Sequence, residues 1–210
     1  MKNMQSLKEN RNLLSLAFLV LFSSLYLDTP LLLWIKDFHN RDPFIYSVLK
    51  SIDPAVSFAS NGATLIASAF LLYILYRRSN PRLSDAGRTL CVGLISSGIL
   101  VQILKHLIGK ARPRLTDNPI FIGPSLKSGF DSFPSGHATL AFSFAYILTY
   151  YFPKYRVIFY AFAVITGFER IEDANHFLSD VLAGAFLGIV VAKFLLAKAS
   201  LKGEKEACQI

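Results

Sequence analysis

Charge is scarce in this chain and cysteine is almost absent. Lys, Arg, Asp and Glu make up 17% of its 210 residues, against about 25% in an ordinary soluble domain. The two cysteines, Cys91 and Cys208, match no structural zinc spacing. They are not expected to pair, because Cys91 falls inside an apolar block and Cys208 in the charged tail. There is no P-loop, no glycine-rich dinucleotide fingerprint, no internal repeat and no low-complexity linker. These absences argue against the common nucleotide-binding loops, a disulfide scaffold and a repeat architecture.

What fills the chain instead is apolar. Hydrophobic residues reach 53%, with 18 Phe and 9 Tyr, and the mean hydropathy is +0.43. They fall in blocks near the length of about 20 residues that a membrane-spanning helix needs. Six spans are expected: Asn12 to Leu27, Val56 to Tyr76, Leu90 to Ile108, His137 to Phe152, Val157 to Ile171 and Phe177 to Ala197. A break at Asp28-Thr29-Pro30 would separate the first from an interfacial helix around Leu31 to Ile35. The first block follows Lys2, Lys8 and Arg11 like a signal peptide, yet no small-residue cleavage pattern comes after it, so an uncleaved span is expected. The fold class is therefore all-α, a polytopic six-helix membrane bundle forming one unit over residues 1–210.

Lysine and arginine accumulate on the cytoplasmic side of short loops. Lys2, Lys8 and Arg11, then Arg77, Arg78, Arg82 and Arg88, then Lys154 and Arg156, and last Lys198, Lys202 and Lys205 share one side if six spans are threaded. Both termini are then cytoplasmic. Lys105 to Ser135 and Glu169 to Asn175 fall on the opposite face. The outer loop breaks the trend with Lys105, Lys110, Arg112, Arg114 and Lys127, which points to an anion site. Topology and this loop account for most of the net charge of +8, so no nucleic-acid partner is expected.

Three stretches carry chemistry. Lys105 and Arg112 lie seven residues apart, close to two helical turns, with Pro113 ending the helix. A point charge and a planar fork suit phosphate oxygens, although Lys105 alone could simply snorkel to the headgroups. Pro134-Ser135-Gly136-His137 precedes an apolar helix. Its N-terminus would face an anion with free N–H groups, and His137 could donate a proton to a leaving oxygen. By itself this could be an ordinary capped helix start. His176 and Asp180, spaced i,i+4, would share one helical face, with the carboxylate fixing the imidazole tautomer. Arg170 could clamp the same anion, or the pair could merely tie helices together. Asp131 and Ser132 read as turn residues, and His39 and His106 join no such constellation.

The pattern K-x6-RP, PSGH and R-x5-H-x3-D, from Lys105 to Asp180, resembles the three-part signature of the type 2 phosphatidic acid phosphatase (PAP2) superfamily of membrane phosphatases, related in site to vanadate-dependent haloperoxidases. The resemblance implies phosphate binding by Lys105, Arg112, Ser135, Gly136 and Arg170, and His176 as the nucleophile that becomes phosphohistidine. It makes Asp180 the orienting carboxylate and His137 the general acid. No metal and no cofactor are implied. The family usually has serine before the arginine of the third stretch, whereas Glu169 stands here, with Glu172 and Asp173 close by. A carboxylate beside a phosphate pocket must be paired or face away. The expected partner is an envelope lipid phosphate at the periplasmic face of a bacterial inner membrane: lipid A phosphate, undecaprenyl pyrophosphate, phosphatidylglycerol phosphate or phosphatidic acid. A transporter or anion-binding protein would use the same cationic pocket without the nucleophile–acid pair.

Overall fold

Apolar blocks in a bilayer cannot leave backbone N–H and C=O groups unpaired, so they fold as helices. The computed structural model describes the backbone of residues 2–207 and the side chains of residues 11–198. Cys208 lies outside these, as do the side chains of Lys2, Lys8, Lys202 and Lys205. The helices are α1 (Lys2–Phe22), α2 (Asp28–Arg41), α3 (Pro43–Ser60), α4 (Gly62–Tyr76), α5 (Pro81–Ile108), α6 (Gly136–Tyr151), α7 (Arg156–Glu172) and α8 (Leu178–Ala207).

The break expected at Asp28-Thr29-Pro30 does not occur. A π-helical turn, Ser23–Leu27, joins α1 to α2 in one continuous helix. A widened turn is one way a helix accommodates a residue that lacks an N–H and crowds the preceding carbonyl, as Pro30 does. The block expected to span from Val56 to Tyr76 is two helices. Helix α3 starts earlier, at Pro43, and meets α4 at a bend of 49°. Asn61 sits at the bend, and its side chain accepts a hydrogen bond from Ala63 N at 2.9 Å, capping α4.

Among the described residues, three helical stretches are long and apolar enough to cross a membrane: Arg11–Arg41, Pro81–Ile108 and Leu178–Lys198. The bent α3–α4 pair makes a fourth if taken as one span. Six were expected. Helices α6 and α7, of 16 and 17 residues, are about 24 and 26 Å long at 1.5 Å per residue, short of a hydrocarbon core of about 30 Å. The architecture is all-α and polytopic. Phe18, Leu25, Phe70, Ile99, Val157 and Phe194 lie exposed on its flanks, an apolar surface suited to lipid rather than water.

The core gathers Leu65, Leu90, Leu94, Ile147 and Ala192 between α4, α5, α6 and α8. Helices α6 and α8 cross closely. A Cβ at Gly184 would lie 2.6 Å from Ser135 O, and one at Gly188 would lie 2.2 Å from Thr139 O. Small residues at this spacing let helix backbones approach within a membrane. At one end of the bundle Arg82 donates to Tyr151 O, bringing together the α4–α5 and α6–α7 turns. The end of α5, the starts of α4, α6 and α8, and the end of α7 gather at the other.

Candidate active site

Helix α5 ends at Gly109, whose φ of 60° and carbonyl neighbour leave no room for a side chain: a Cβ there would meet Gly123 O at 1.9 Å. The loop that follows ties itself down. Lys110 and Phe121 form an antiparallel bridge, Arg112 N donates to Gly129 O at 2.9 Å, and Ser132 N donates to Lys110 O at 3.0 Å. His106, exposed on α5, faces Ser125 O with Nδ1 at 3.1 Å and so pins the same loop. The loop thereby holds Arg112 beside Lys105.

The close α6–α8 crossing sets the second and third stretches against each other, with Ser135 N donating to Asp180 O at 2.9 Å. Ser135 occupies the N-cap position of α6 but its side chain caps nothing, so the alternative of an ordinary capped helix start does not hold. Its Oγ and His137 Nε2 are buried without a protein partner. His176 precedes α8 instead of riding on it, so the pairing with Asp180 does not come from a shared helical face. A turn through Ala174 (φ 49°) delivers His176, whose N donates to Arg170 O at 3.0 Å. Asp180, in the first turn of α8, accepts from Phe177 N at 2.9 Å. His176 Nδ1 stands 3.7 Å from Asp180 Oδ2 and 3.4 Å from Ser132 Oγ. Such contacts often tighten only when substrate arrives. Nδ1 is thus turned to the carboxylate, and Nε2 is the nitrogen left for a ligand.

Lys105, Arg112, Gly136, His137, Arg170 and His176 line one cavity of about 340 Å³. Ser135 and Asp180 stand directly behind it. Asp131, read from sequence as a turn residue, is a member of the site. Its carboxylate accepts from Arg112 Nε at 2.9 Å and Nη2 at 2.6 Å, and its carbonyl accepts from Lys105 Nζ at 2.6 Å. The Arg112 hydrogen bonds, with the charges of Arg112 and Lys105, hold its pKa down at about 2. Burial pushes the His176 imidazole down to about 4, with Asp180 opposing, so the ring is neutral at physiological pH. Ser132 is also more than a turn residue, donating to Asp180 Oδ2 at 2.5 Å.

Of the acidic side chains near Arg170, Glu169 is the one that departs from the expected pattern; it and Asp173 are matched to basic groups, whereas buried Glu172 makes no hydrogen bond. Glu169 accepts two hydrogen bonds from Arg170. Glu172 Oε1 lies 3.0 Å from His39 Nε2, and Asp173 pairs with Lys50 of α3. Arg112 and Arg170 are each gripped along their Nε–Nη2 edge, which fixes the fork. Arg112 Nη1 is 3.4 Å from Asn175 Oδ1. Among the described residues, no group of three or more His, Cys, Asp or Glu side chains is arranged to hold a metal ion.

A family model, the PAP2 superfamily, matches residues 86–203. The chain belongs to the PAP2 superfamily. This stretch takes in all three motif segments and runs from α5 to α8. A lipid A 1-phosphatase of Rhizobium johnstonii is 36% identical over 143 residues, covering 61% of this chain and 59% of the relative. The chain thus spans little more than half the length of that protein. Two crystal structures share the PAP2-like fold. One is a transmembrane PAP2 type phosphatidylglycerolphosphate phosphatase from Bacillus subtilis, with a TM-score of 0.62 at 22% identity, covering 90% of this chain and 96% of that one. The other is Aquifex aeolicus LpxE, with a TM-score of 0.55 at 24% identity, covering 71% and 86%.

Proposed function

We propose that this PAP2 protein hydrolyses a lipid phosphate through a phosphohistidine on His176. The observation that carries the reading is the meeting of two cavities. The polar one, with its cations and two histidines, shares Gly62, Ala63, Gly98, Gln102 and Leu140 with an apolar groove between α4 and α5. That groove continues along Ile66, Leu94, Ile95, Ile99 and Ile103. A phosphate held by the cations could therefore keep its acyl chains in the groove.

In the proposed cycle Lys105, Arg112, Arg170 and the N–H groups at the start of α6, from Gly136 onward, bind the phosphoryl oxygens. These donors stabilise the charge that builds on those oxygens in the transition state. His176 Nε2 attacks phosphorus while the bond to the leaving oxygen breaks, and His137, which takes up a proton as the bound phosphate anion offsets the surrounding cations, gives that oxygen the proton. Asp180 stabilises the positive charge that develops on the His176 ring. Neutral His137 then takes a proton from water, whose oxygen attacks phosphorus and releases inorganic phosphate with the His176 imidazole restored. In this reading the side-chain cations carry the electrostatic work that a metal ion performs in other phosphatases.

The relatives' names point to an envelope lipid. Lipid A phosphate, phosphatidylglycerol phosphate, phosphatidic acid and undecaprenyl pyrophosphate all present a phosphoryl group on an anchored tail. The site lies at the end of the bundle opposite the Arg77 to Arg88 turn, and the positive-inside rule supports a periplasmic site in a bacterial inner membrane with both termini cytoplasmic. The test is phosphate release from that panel by purified protein in detergent with EDTA, beside a His176→Ala control. Release from at least one lipid that His176→Ala abolishes is expected. Release that stops in EDTA and returns with magnesium would contradict the metal-free mechanism, and no release from any lipid would contradict the function.

A further inference from the structure

Behind Asp180 lies a second buried charge cluster that the three-part signature does not contain. Lys110 is fully buried, and its Nζ donates to Asp180 Oδ1 at 2.7 Å, Asp28 Oδ2 at 2.9 Å and Ser179 Oγ at 2.8 Å. Asp28, 2% exposed at the start of α2, also accepts from Ser179 N at 2.9 Å and Ser179 Oγ at 2.5 Å. Phe121, Phe133 and Phe177 enclose the ammonium, the Phe177 ring centre lying 4.5 Å from Nζ. Groups this deep are costly unless paired, so the cluster is held together as a unit.

Its charge balance has a consequence for the neighbouring histidine. Two carboxylates against one ammonium leave the cluster with one net negative charge, and Asp180 is the member that faces His176. Were Asp180 alone with Lys110, the ammonium would cancel most of the carboxylate's field at the ring. Asp28 shares the ammonium's hydrogen bonds and restores that field. On its other side His176 faces the charges of Lys105 and Arg112, which oppose a cationic ring. The negative charge behind it is what offsets them once Nε2 is phosphorylated.

We propose that Asp28 is a positioning residue for the His176 step. Ser132 Oγ and Phe177 N hold the Asp180 carboxylate in place, and Asp28 offsets the Lys110 ammonium so that Asp180 still acts on His176 as an anion. The proposal rests on the phosphatase reading above. It also makes the N-terminal helix part of the catalytic apparatus, since Asp28 lies well before the family-matched residues 86–203.

The test uses the full chain in detergent micelles, with dioleoyl phosphatidate and the best lipid from the panel as substrates and inorganic phosphate as competitive inhibitor. Asp28→Asn keeps the shape and removes the charge. It is expected to lower kcat roughly 10–100-fold, as losing a partner behind a catalytic ligand does, while KM and inhibition by phosphate hold. The double variant Asp28→Asn/Lys110→Met removes the cation as well and returns one net negative charge to the cluster. It is expected to turn over faster than Asp28→Asn. A purely structural role predicts the reverse, because the double variant loses more hydrogen bonds. The proposal is overturned by an Asp28→Asn enzyme with wild-type kcat, or by a double variant slower than the single one. If these variants fail to fold, Asp28→Glu decides: it keeps the charge on a longer side chain, so a kcat near wild type supports the proposal, and a loss as large as that expected of Asp28→Asn overturns it. Failure of the function itself reads differently, as a wild-type protein inactive on every lipid or a His176→Ala variant that still turns over.

Discussion

Gly188 is where the fold's geometry bears most directly on the chemistry. A Cβ added there would sit 2.2 Å from Thr139 O and 2.9 Å from Ser143 N, both backbone atoms of α6. Normal contact requires about 3.4 Å, so α6 and α8 must move apart by roughly 1 Å, and overpacking of this kind typically costs about 1–3 kcal/mol. The same movement pulls apart the ends of these helices, where Ser135 N bonds Asp180 O at 2.9 Å. Displacing a reacting group by about 1 Å can slow a reaction roughly 100-fold. Gly188→Ala is therefore expected to lower kcat by one to two orders of magnitude and to lower the melting temperature in detergent, with Gly188→Val worse on both. Phosphate release and thermal unfolding of the same preparations check this. A folded Gly188→Ala enzyme with wild-type kcat would show that the close crossing does not set the distance between His137 and His176.

Asp131→Asn removes the carboxylate that grips Arg112 through two hydrogen bonds. KM for the lipid is expected to rise about tenfold, the effect of losing roughly 1.4 kcal/mol of binding, as read from steady-state kinetics. Gly98→Leu should narrow the apolar groove, since a Cβ there meets only Leu140 Cδ2, at 3.9 Å, and a longer side chain has room to enter the groove. Turnover of a long-chain phosphatidate should fall more than that of a dioctanoyl one, and equal loss on both would refute a groove for acyl chains. Stability should depend on pH through His176, whose folded pKa of about 4 lies below the ordinary value of about 6.5. Between these values the unfolded chain binds the extra proton, so this contribution is full above about pH 6.5 and declines toward pH 4. Melting temperatures measured across that window should slope less in His176→Gln. Asp131 adds its own decline further down, as pH falls from the ordinary carboxylate value toward about 2.

The residues proposed to meet phosphate were legible because their types and spacing are themselves the chemistry: Lys105, Arg112, His137, Arg170 and His176 line one cavity. Their supports were not legible. Asp28 and Lys110 are bonded across 82 positions, and Arg112 and Asp131 across 19. No periodicity reports such pairings. A cue existed in Asp28, a carboxylate bordering an apolar block, because a charge in that setting needs a partner. The Gly184, Gly188, Ala192 spacing was a second cue, to the tight α6–α8 crossing. The fold was less legible than the site. The hydropathy blocks located most helices, but Pro30 was taken as a break that the π-turn absorbs, and α3 began well before its strongest apolar stretch. The i,i+4 spacing of His176 and Asp180 suggested a shared helix, whereas α8 starts only at Leu178, and a turn brings the histidine to the carboxylate.

Trapping the intermediate tests the central claim most directly. The protein is mixed with a lipid carrying labelled phosphate, quenched in alkali and digested, and the labelled peptide is located by mass spectrometry. The account predicts acid-labile, alkali-stable phosphate on His176, absent from a His176→Ala protein that no longer turns over. Turnover by His176→Ala at the wild-type rate, or label on any other residue, would contradict it.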